Sequence, residues 1–451
     1  MPVFPPTFLA QVTSGCWTRE PERDLTGFSI DTRTLQSGDV FVALKTAARD
    51  GHAFLFTALA AGAGAALVSV PDATVDLPQL VVPDPLVAFQ AIASAHRQAF
   101  TGPVVGISGS AGKTSTKELL ARLLSASPGD VLATAGNLNN HLGVPLTLTR
   151  LDPARHRFAV VEAGIGGPGE MRPLARMIEA DLGVITLIGP AHLEELGSLT
   201  GVAREKALLL SGAREAALKL FPKACLEYTP FSELAEPVFA LAPIISHRAT
   251  ATSITFVPIG AQHEQTFVCR RISDGMASNA ALALAAALSL GVTPEQARTR
   301  LADWQPAAMR GELRSDAQGR WLYVDCYNAN PASMHDALAV FADTAPQDLP
   351  RLYVIGGMEE LGTDSLAYHR ELGRALASRL RPEDRALVLA AESAAEAVVI
   401  GAAHSGVSAV ADLVALREIF EAFAGAVFIK GSRRYRLESL LQPVGAVATN
   451  H

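Results

Sequence analysis

The chain has 451 residues, 49% of them hydrophobic, and a formal net charge of −7. A chain of this length exceeds what one core usually serves, so we expect about three domains. The acidic balance and the lack of a basic stripe argue against a nucleic-acid backbone as partner. The longest apolar stretches are shorter than a bilayer crossing, so no membrane span is expected.

Both the N-terminus and the cysteines favour a cytoplasmic protein. Residues 1–10 contain three prolines and no basic region ahead of an apolar segment, unlike a secretion signal. The four cysteines are scattered without metal or disulfide spacing, which suits a reducing compartment.

The predicted elements define an α/β chain of three segments. Residues 1–98 carry short strands at 27–30, 39–44, 65–70 and 80–82 around a helix near 53–63, a small α/β domain. Residues 99–305 alternate strands at 103–107, 157–162 and 182–187 with helices at 114–124 and 203–211, which predicts a doubly wound parallel sheet. Antiparallel strands are possible within 221–275. Residues 306–451, with strands at 321–326, 352–355, 386–390 and 426–429, predict a second doubly wound domain.

A glycine-rich loop joins the first strand and helix of the central segment. Backbone N–H groups at a helix N-terminus bind phosphate, a lysine adds positive charge, and a threonine hydroxyl can bind magnesium. The loop therefore predicts a nucleoside triphosphate site with Lys113 and Thr114 in these roles. The predicted ATP-binding residues of the loop are Gly109, Ser110, Ala111, Gly112, Lys113, Thr114 and Ser115.

The spacing of the loop differs from the usual P-loop. Ile107 stands where the usual pattern has its first glycine, and the sequence instead reads Gly-x-x-Gly-Lys-Thr from Gly109. This shorter variant argues against kinases, GTPases and motor ATPases.

Two candidate metal ligands follow later strands of the central segment. Glu162 ends a predicted strand, and His192 follows the next one. Ligands of open parallel sheets bind at the carboxyl ends of the strands, so both lie on the expected edge. An exposed strand-end acid and a packing histidine are the alternatives. Lys206 follows on a helix, where local evidence favours a solvated lysine.

Polar loops supply further candidates. The loop at 134–140 offers the amides of Asn137, Asn139 and Asn140 for binding, although such loops often only turn the chain. In the third segment, Asp325, Tyr327 and Asn328 form a polar cluster that could bind a ribose or base.

Local capping explains other residues of the third segment. Asn330 and Pro331 have the residue types of an N-cap and a first helical position. The stretch 430–433 is either a second anion site or a surface cap.

These motifs, in this order, resemble the Mur ligases, the ATP-dependent amide-forming enzymes of peptidoglycan precursor synthesis. The sequence at 327–334, Tyr-Asn-Ala-Asn-Pro-Ala-Ser-Met, is most similar to the branch that joins D-Ala-D-Ala to UDP-N-acetylmuramoyl-tripeptide. The matching stretches cover all three segments: 29–33, 38–44, 50–52, 109–116, 134–145, 162–171, 191–206, 325–334, 358–362 and 430–433.

The resemblance implies a UDP-sugar-binding N-terminal domain, a central ATPase domain and a Rossmann-like C-terminal domain. It implies that Lys206 is carbamylated and helps Thr114, Glu162 and His192 to hold Mg²⁺, and that Lys113, Lys206 and His192 are catalytic. Further nucleotide contacts would come from Asn279, Arg310, Asp325, Tyr327, Asn328 and Asn330. The UDP-linked substrate would meet Ser29, Asp31, Arg33, Asp50, His52, Asn137, Asn139 and Asn140.

The chain departs from the family pattern twice. Gly275-Met276 replaces a His-Asn pair ahead of Asn279, and Gly357 replaces the aspartate of Gly-Asp-Met. The hypothesis is a cytoplasmic, monomeric ligase that forms an acyl phosphate. The alternatives are a related ligase with another acceptor, such as folate, and a non-catalytic nucleotide-binding protein.

Overall fold

The computed structural model describes residues 2–248 and 250–441. Contacts among them form two compact units. Unit 1 comprises the described parts of Met1–Gly109, Leu120–Thr186 and Ala203–Ala240. Unit 2 comprises those of Ser110–Leu119, Leu187–Val202 and Leu241–His451. The three-domain division with boundaries near 98 and 305 stays a prediction.

The N-terminal sheet is mixed, with strand order β1-β5-β4-β3-β2 and only the β1–β5 pair antiparallel. Its core includes the rings of Phe4, Phe28 and Phe89. The elements are α1 (Pro6–Thr13), β1 (Cys16–Trp17), β2 (Gly27–Ser29), β3 (Asp39–Val42), α2 (Leu55–Ala60), β4 (Ala65–Val68), β5 (Gln79–Val81) and α3 (Pro85–Ala99). The predicted strands are confirmed. The helix predicted near 53–63 begins instead as a 3-10 turn, Gly51–Phe54.

The central sheet has the order β11-β10-β9-β6-β8-β7, and the pairs from β7 to β10 are parallel. Its elements are β6 (Val104–Ser108), α4 (Lys113–Leu124), β7 (Val131–Ala133), α5 (Gly143–Leu148), β8 (Phe158–Glu162), α6 (Met171–Ile178), β9 (Leu182–Ile185), α7 (Leu193–Leu196), α8 (Leu199–Ser211), β10 (Leu218–Pro222), α9 (Thr229–Ser232) and β11 (Val238–Leu241). Because β6 lies between β8 and β9, the strand order reverses there, which is where open α/β sheets bind ligands.

A small antiparallel sheet follows, as residues 221–275 indicated. It has the order β12-β13-β14 and precedes two helices. The elements are β12 (Ile244–His247), β13 (Ala251–Phe256), β14 (Gln265–Arg270), α10 (Asp274–Ser289) and α11 (Pro294–Ala302). The interior of α10 is largely alanine and leucine, which form helices readily. Most of these apolar side chains are buried.

The C-terminal sheet has the order β15-β16-β20-β17-β18-β19 and is parallel except at β15. Core residues cover both faces, as a doubly wound fold requires. The elements are β15 (Glu312–Ser315), β16 (Trp321–Asp325), α12 (Pro331–Thr344), β17 (Arg351–Gly356), α13 (Ser365–Ala377), β18 (Arg385–Leu389), α14 (Glu392–Ala402), β19 (Val407–Ala409), α15 (Leu413–Ala422) and β20 (Ala426–Lys430). The α/β class and its arrangement of sheets are confirmed. Among the described helices, none has both the length and the apolar character of a bilayer span.

Candidate active site

The phosphate loop has the strand–loop–helix geometry that the sequence predicts. Strand β6 ends at Ser108, and α4 begins at Lys113. Gly112 has φ +83°, a left-handed conformation that favours glycine, and a Cβ there would collide with the side chain of Asn279. The contact between Gly112 and Asn279 therefore requires glycine, and it brings together two predicted nucleotide-binding residues.

Ser110 holds the loop against the segment after β9. Its N–H donates to the carbonyl of Leu187 at 2.8 Å, and its hydroxyl donates to the carbonyl of Gly189 at 2.9 Å. The Gly189 N–H donates back to this hydroxyl at 3.0 Å. Ser110 thus braces the loop, a contribution that the sequence does not reveal.

Glu162 lies at the carboxyl end of β8 and is 2% exposed. The amide of Asn139 donates to its Oε1 at 2.8 Å, and its own N–H donates to Thr134 Oγ1 at 2.9 Å. The loop at 134–140 therefore contacts this carboxylate, as its position in the sequence suggested. A buried carboxylate needs polar or cationic partners, which suits a metal ligand.

The other two amides of that loop differ from Asn139. Asn140 Oδ1 accepts the N–H groups of Leu142 and Gly143 at 3.1 and 2.9 Å, at the start of α5. Asn137 is exposed, and its carbonyl accepts the N–H of Asn139 at 2.7 Å. Asn140 thus has a capping contact, and the substrate roles of Asn137 and Asn140 stay predictions.

Lys206 is buried within α8, with 1% of its surface exposed. The reading of Lys206 as a solvated helix lysine is therefore wrong, because the structure places it in the interior. The sequence patterns did not indicate a role for its neighbour Glu205. Glu205 Oε1 accepts the N–H of Met171 at 2.9 Å and caps the start of α6.

His192 lies outside β9 in the turn before α7 and adopts φ +53°, ψ +36°. Its Nδ1 is 3.0 Å from Oε2 of Glu360, an acid that the sequence did not single out. Both residues belong to unit 2. Among residues 2–248 and 250–441, no cluster of three or more His, Cys, Asp or Glu side chains could hold a metal alone.

The cluster of the third segment is built around Tyr327 and Lys430. The Arg310 guanidinium stacks 4.0 Å above the Tyr327 ring, and Arg433 lies 5.8 Å from it. The Lys430 side chain is 1% exposed, and its Nζ donates to Asp325 Oδ2 at 2.6 Å and to the Asn328 carbonyl at 3.3 Å. The buried Lys430 therefore holds the loop at 325–328 in place through these two hydrogen bonds.

Asn330 is the N-cap of α12, as predicted, with Pro331 in the first turn. Its Oδ1 accepts the Ser333 N–H at 2.9 Å, and the Ser333 hydroxyl accepts the Asn330 N–H at 3.1 Å. This capping box accounts for Asn330 structurally. Its nucleotide contact stays a prediction.

The N-terminal candidates form two polar turns. Ser29, 6% exposed, donates to the Asp31 carbonyl at 2.8 Å. The hydrogen bonds of the Arg33 side chain to Asp31 lower the pKa of this carboxyl from 3.8 to about 2. Arg33 is 85% exposed and can reach a ligand.

The second turn orients His52. The Ser69 N–H donates to His52 Nε2 at 3.0 Å, so Nδ1 carries the proton and donates to Asp50 Oδ1 at 2.6 Å. Hydrogen bonds from the backbone and ring of His52 lower the pKa of Asp50 from 3.8 to about 2. The two hydrogen bonds, to Asp50 and from Ser69, hold the His52 imidazole in one tautomer.

Comparisons with known proteins cover nearly the whole chain. Residues 107–287 match the Mur ligase middle domain, and residues 309–433 match the domain described as Mur ligase, glutamate ligase domain. The UDP-N-acetylmuramoyl-tripeptide–D-alanyl-D-alanine ligase of Escherichia coli K12 is 33% identical over 429 residues, 93% of each chain.

Solved structures agree with these sequence matches. The crystal structure of MurF from Acinetobacter baumannii has a TM-score of 0.84 and 28% identity over 98% of each chain. MurF of Thermotoga maritima, in complex with ADP, has a TM-score of 0.77 and 25% identity, over 92% of this chain and 96% of that one. The chain therefore belongs to the Mur ligase family.

Proposed function

We propose that the chain is an ATP-dependent ligase that joins D-Ala-D-Ala to UDP-N-acetylmuramoyl-tripeptide in peptidoglycan synthesis. The carrying observation is the Gly-x-x-Gly-Lys-Thr loop, which opens α4 at Lys113 in a chain that matches such a ligase over 93% of both lengths. The ADP bound to the Thermotoga maritima relative supports ATP as the nucleotide. The Gly-x-x-Gly-Lys-Thr loop is shorter than the usual P-loop, which also favours a ligase over a kinase, a GTPase or a motor ATPase.

The reaction proceeds in two steps. A carboxylate oxygen of the tripeptide attacks the γ-phosphorus of ATP, which gives an acyl phosphate and releases ADP. The amine of D-Ala-D-Ala then attacks the acyl carbon, loses a proton and expels phosphate. Lys113 and the loop N–H groups offset charge on the transferring phosphoryl group by electrostatics and positioning. Exclusion of water protects the acyl phosphate from hydrolysis.

The metal part of the proposal assigns Mg²⁺ to Thr114, Glu162, His192 and carbamylated Lys206. The threonine hydroxyl, the glutamate carboxylate and the carbamate would supply the oxygen ligands that Mg²⁺ prefers, and His192 would add one nitrogen. The metal would stabilise negative charge on the phosphates. A carbamate on Lys206, which is buried, would turn the cation into an anion whose oxygen atoms can bind the metal.

The remaining assignments complete the proposal. The N-terminal segment, with the turns of Asp31 and Asp50, binds the UDP-linked substrate. The residues from 99 to 305 bind ATP, and those from 306 onward add nucleotide contacts through Arg310 and Tyr327, whose stacked side chains offer a cationic, aromatic surface. We further propose three domains divided near 98 and 305, a cytoplasmic location and a monomeric state.

A phosphate-release assay tests the function. Purified protein with ATP, Mg²⁺ and bicarbonate should release phosphate only when UDP-N-acetylmuramoyl-tripeptide and D-Ala-D-Ala are both present. A panel of other carboxylates and amines, including folates, separates related ligases. Intact ATP after long incubation with every pair would favour a non-catalytic nucleotide-binding protein.

Replacing the loop lysine is the matched test of mechanism. Lys113→Ala should lower the rate of phosphate release by at least about 100-fold, because it removes a charge that stabilises the transferring phosphoryl group. Lys223→Ala, the same substitution at an exposed lysine after β10, should retain activity. Comparable rates for Lys113→Ala and wild type would contradict the assigned role.

A further inference from the structure

We propose that Glu360 is a positioning residue for His192, which sets the imidazole so that Nε2 is the nitrogen offered to the metal. This inference rests on the proposed function, because it assumes that His192 is a metal ligand. The observation that carries it is the 3.0 Å distance from Glu360 Oε2 to His192 Nδ1. The two residues come from distant parts of the sequence.

The backbone at both ends of this contact is unusual. His192 has φ +53° and Glu360 has φ +60°, a left-handed conformation that few residues other than glycine adopt. Strain of this kind persists where the surrounding structure holds it, and it concentrates at functional sites. The paired strain therefore points to a role for the contact.

The loop that carries Glu360 is anchored on its N-terminal side. The adjacent Glu359 accepts hydrogen bonds from Tyr435 Oη at 2.6 Å and from Arg434 Nη1 at 3.1 Å. The Met358 N–H donates to Nε2 of His369, which is fully buried. Although the Glu360 side chain is 63% exposed, its backbone is held in place.

The anchoring also explains the orientation of His369. Its Nδ1 lies 2.7 Å from the Ser365 carbonyl and donates to it, so Nε2 is the acceptor for Met358. The buried hydrogen bond from Met358 to His369 thus fixes the backbone at the start of residues 358–360. Glu360 therefore contacts His192 from a backbone that is held in place.

The chemistry of the pair suits metal binding. A histidine that binds a metal through one nitrogen commonly donates the N–H of the other to a carboxylate, which sets the tautomer and the ring orientation. A carboxylate oxygen 3.0 Å from Nδ1 favours the tautomer with its proton on Nδ1, which leaves the lone pair of the imidazole on Nε2. An exposed ion pair adds little to stability, so orientation is the better account of this contact.

Metal affinity, measured apart from turnover, tests the proposal. Mn²⁺ replaces Mg²⁺ in the full-length protein with a non-hydrolysable ATP analogue, and electron paramagnetic resonance gives its dissociation constant. Glu360→Ala should weaken Mn²⁺ binding about 10- to 100-fold. Glu360→Gln keeps an oxygen near Nδ1 but removes the negative charge, so its Mn²⁺ affinity should lie between those of Glu360→Ala and wild type.

Glu195→Gln is the matched control. It removes an exposed carboxylate three residues after His192, for which the described residues provide no ion pair, and it should bind Mn²⁺ as wild type does. Thermal unfolding of each variant monitors the fold, and the exposed Glu360 should be replaceable without large loss of stability.

The outcomes separate the two proposals. Equal Mn²⁺ affinity in Glu360→Ala and wild type overturns the role of Glu360, whatever the ligation assay gives. Weakened Mn²⁺ binding in Glu360→Ala, together with no ligation by wild type, keeps the role of Glu360 and rejects the proposed substrates. A wild type that binds no Mn²⁺ with the nucleotide analogue overturns the role as well.

Discussion

Gly357 shows how one residue change is accommodated by its neighbours. The Mur ligases usually have aspartate there, and a Cβ at this position would lie 2.7 Å from Tyr435 Oη and 3.0 Å from Ala390 Cβ. Tyr435 cannot easily move, because its hydroxyl donates to Glu359 and accepts the Ala391 N–H at 3.3 Å. A carboxylate is thus held two residues later, at Glu359.

This arrangement predicts a coupling between two side chains. Gly357→Ala should lower the free energy of unfolding by about 1–3 kcal/mol, because the added methyl group overpacks a tight site. In a Tyr435→Phe background, which lacks the hydroxyl, the same change should cost less. Urea unfolding of the four proteins in the double-mutant cycle measures this difference.

An equal cost of Gly357→Ala in both backgrounds would show that Tyr435 does not restrict the site. Tyr435→Phe alone serves as the control for loss of the hydrogen bond to Glu359.

At the scale of elements, the start of α10 is capped by a side chain from another helix. Asp336 of α12 accepts the Asp274 N–H at 2.8 Å and the Gly275 N–H at 2.7 Å. A Cβ at position 275 would lie 2.9 Å from Asp336 Oδ2, so glycine permits this close approach. The departure at Gly275 is therefore explained by packing between α10 and α12.

Removing this cap should destabilise the protein. Asp336→Ala leaves two N–H groups without acceptors, and the free energy of unfolding should fall by about 1–2 kcal/mol. Asp348→Ala, an exposed change after α12, should have little effect. Chemical unfolding measures both, and equal stability of the two variants would contradict the cap.

The same cap predicts a pH dependence with a definite sign. Burial raises the pKa of Asp336 above 3.8, although its backbone hydrogen bonds oppose this. A raised folded pKa means that the folded protein binds the proton more tightly than the unfolded chain. The stability advantage of wild type over Asp336→Ala should therefore grow as pH is lowered from 7 to 4.

Elements differ in how well the sequence predicts them. Helix α4 and the N-cap at Asn330 follow from local signals, apolar periodicity and an Asn-Pro pair, and both are confirmed. The short helices α5 and α7 escaped prediction, because a few residues carry no clear periodicity. Helix α8 begins at Leu199 instead of residue 203, because Ser198 is its N-cap: the Ser198 hydroxyl accepts the Gly201 N–H at 3.1 Å.

For the whole molecule, the cysteines report on the integrity of both units. Cys16 is exposed, whereas Cys225 in unit 1 and Cys269 and Cys326 in unit 2 are buried. Burial raises the pKa of the Cys269 thiol to about 11 and that of the Cys326 thiol to about 12. Thiolate is the reactive form, so the buried thiols should react slowly.

In the native protein, one thiol per chain should therefore be labelled rapidly and three should be protected from labelling. With a disulfide reagent at pH 8, Cys16 should react at once, and the others should react only as urea unfolds the unit that contains them. Cys16→Ser, as the control, should remove the fast phase alone. Rapid labelling of more than one thiol in the native protein would contradict the burial.

The sequence by itself determined the α/β class, the strand–loop–helix at Lys113, the position of Glu162 at a strand end and the family. These features depend on residue patterns within short stretches, or on motifs kept in a fixed order. Tertiary structure alone decided the pairs His192–Glu360, Asp325–Lys430 and Asp336–Gly275. Their members are distant in the chain, and one sequence does not record which distant side chains the packing of sheets and helices brings into contact.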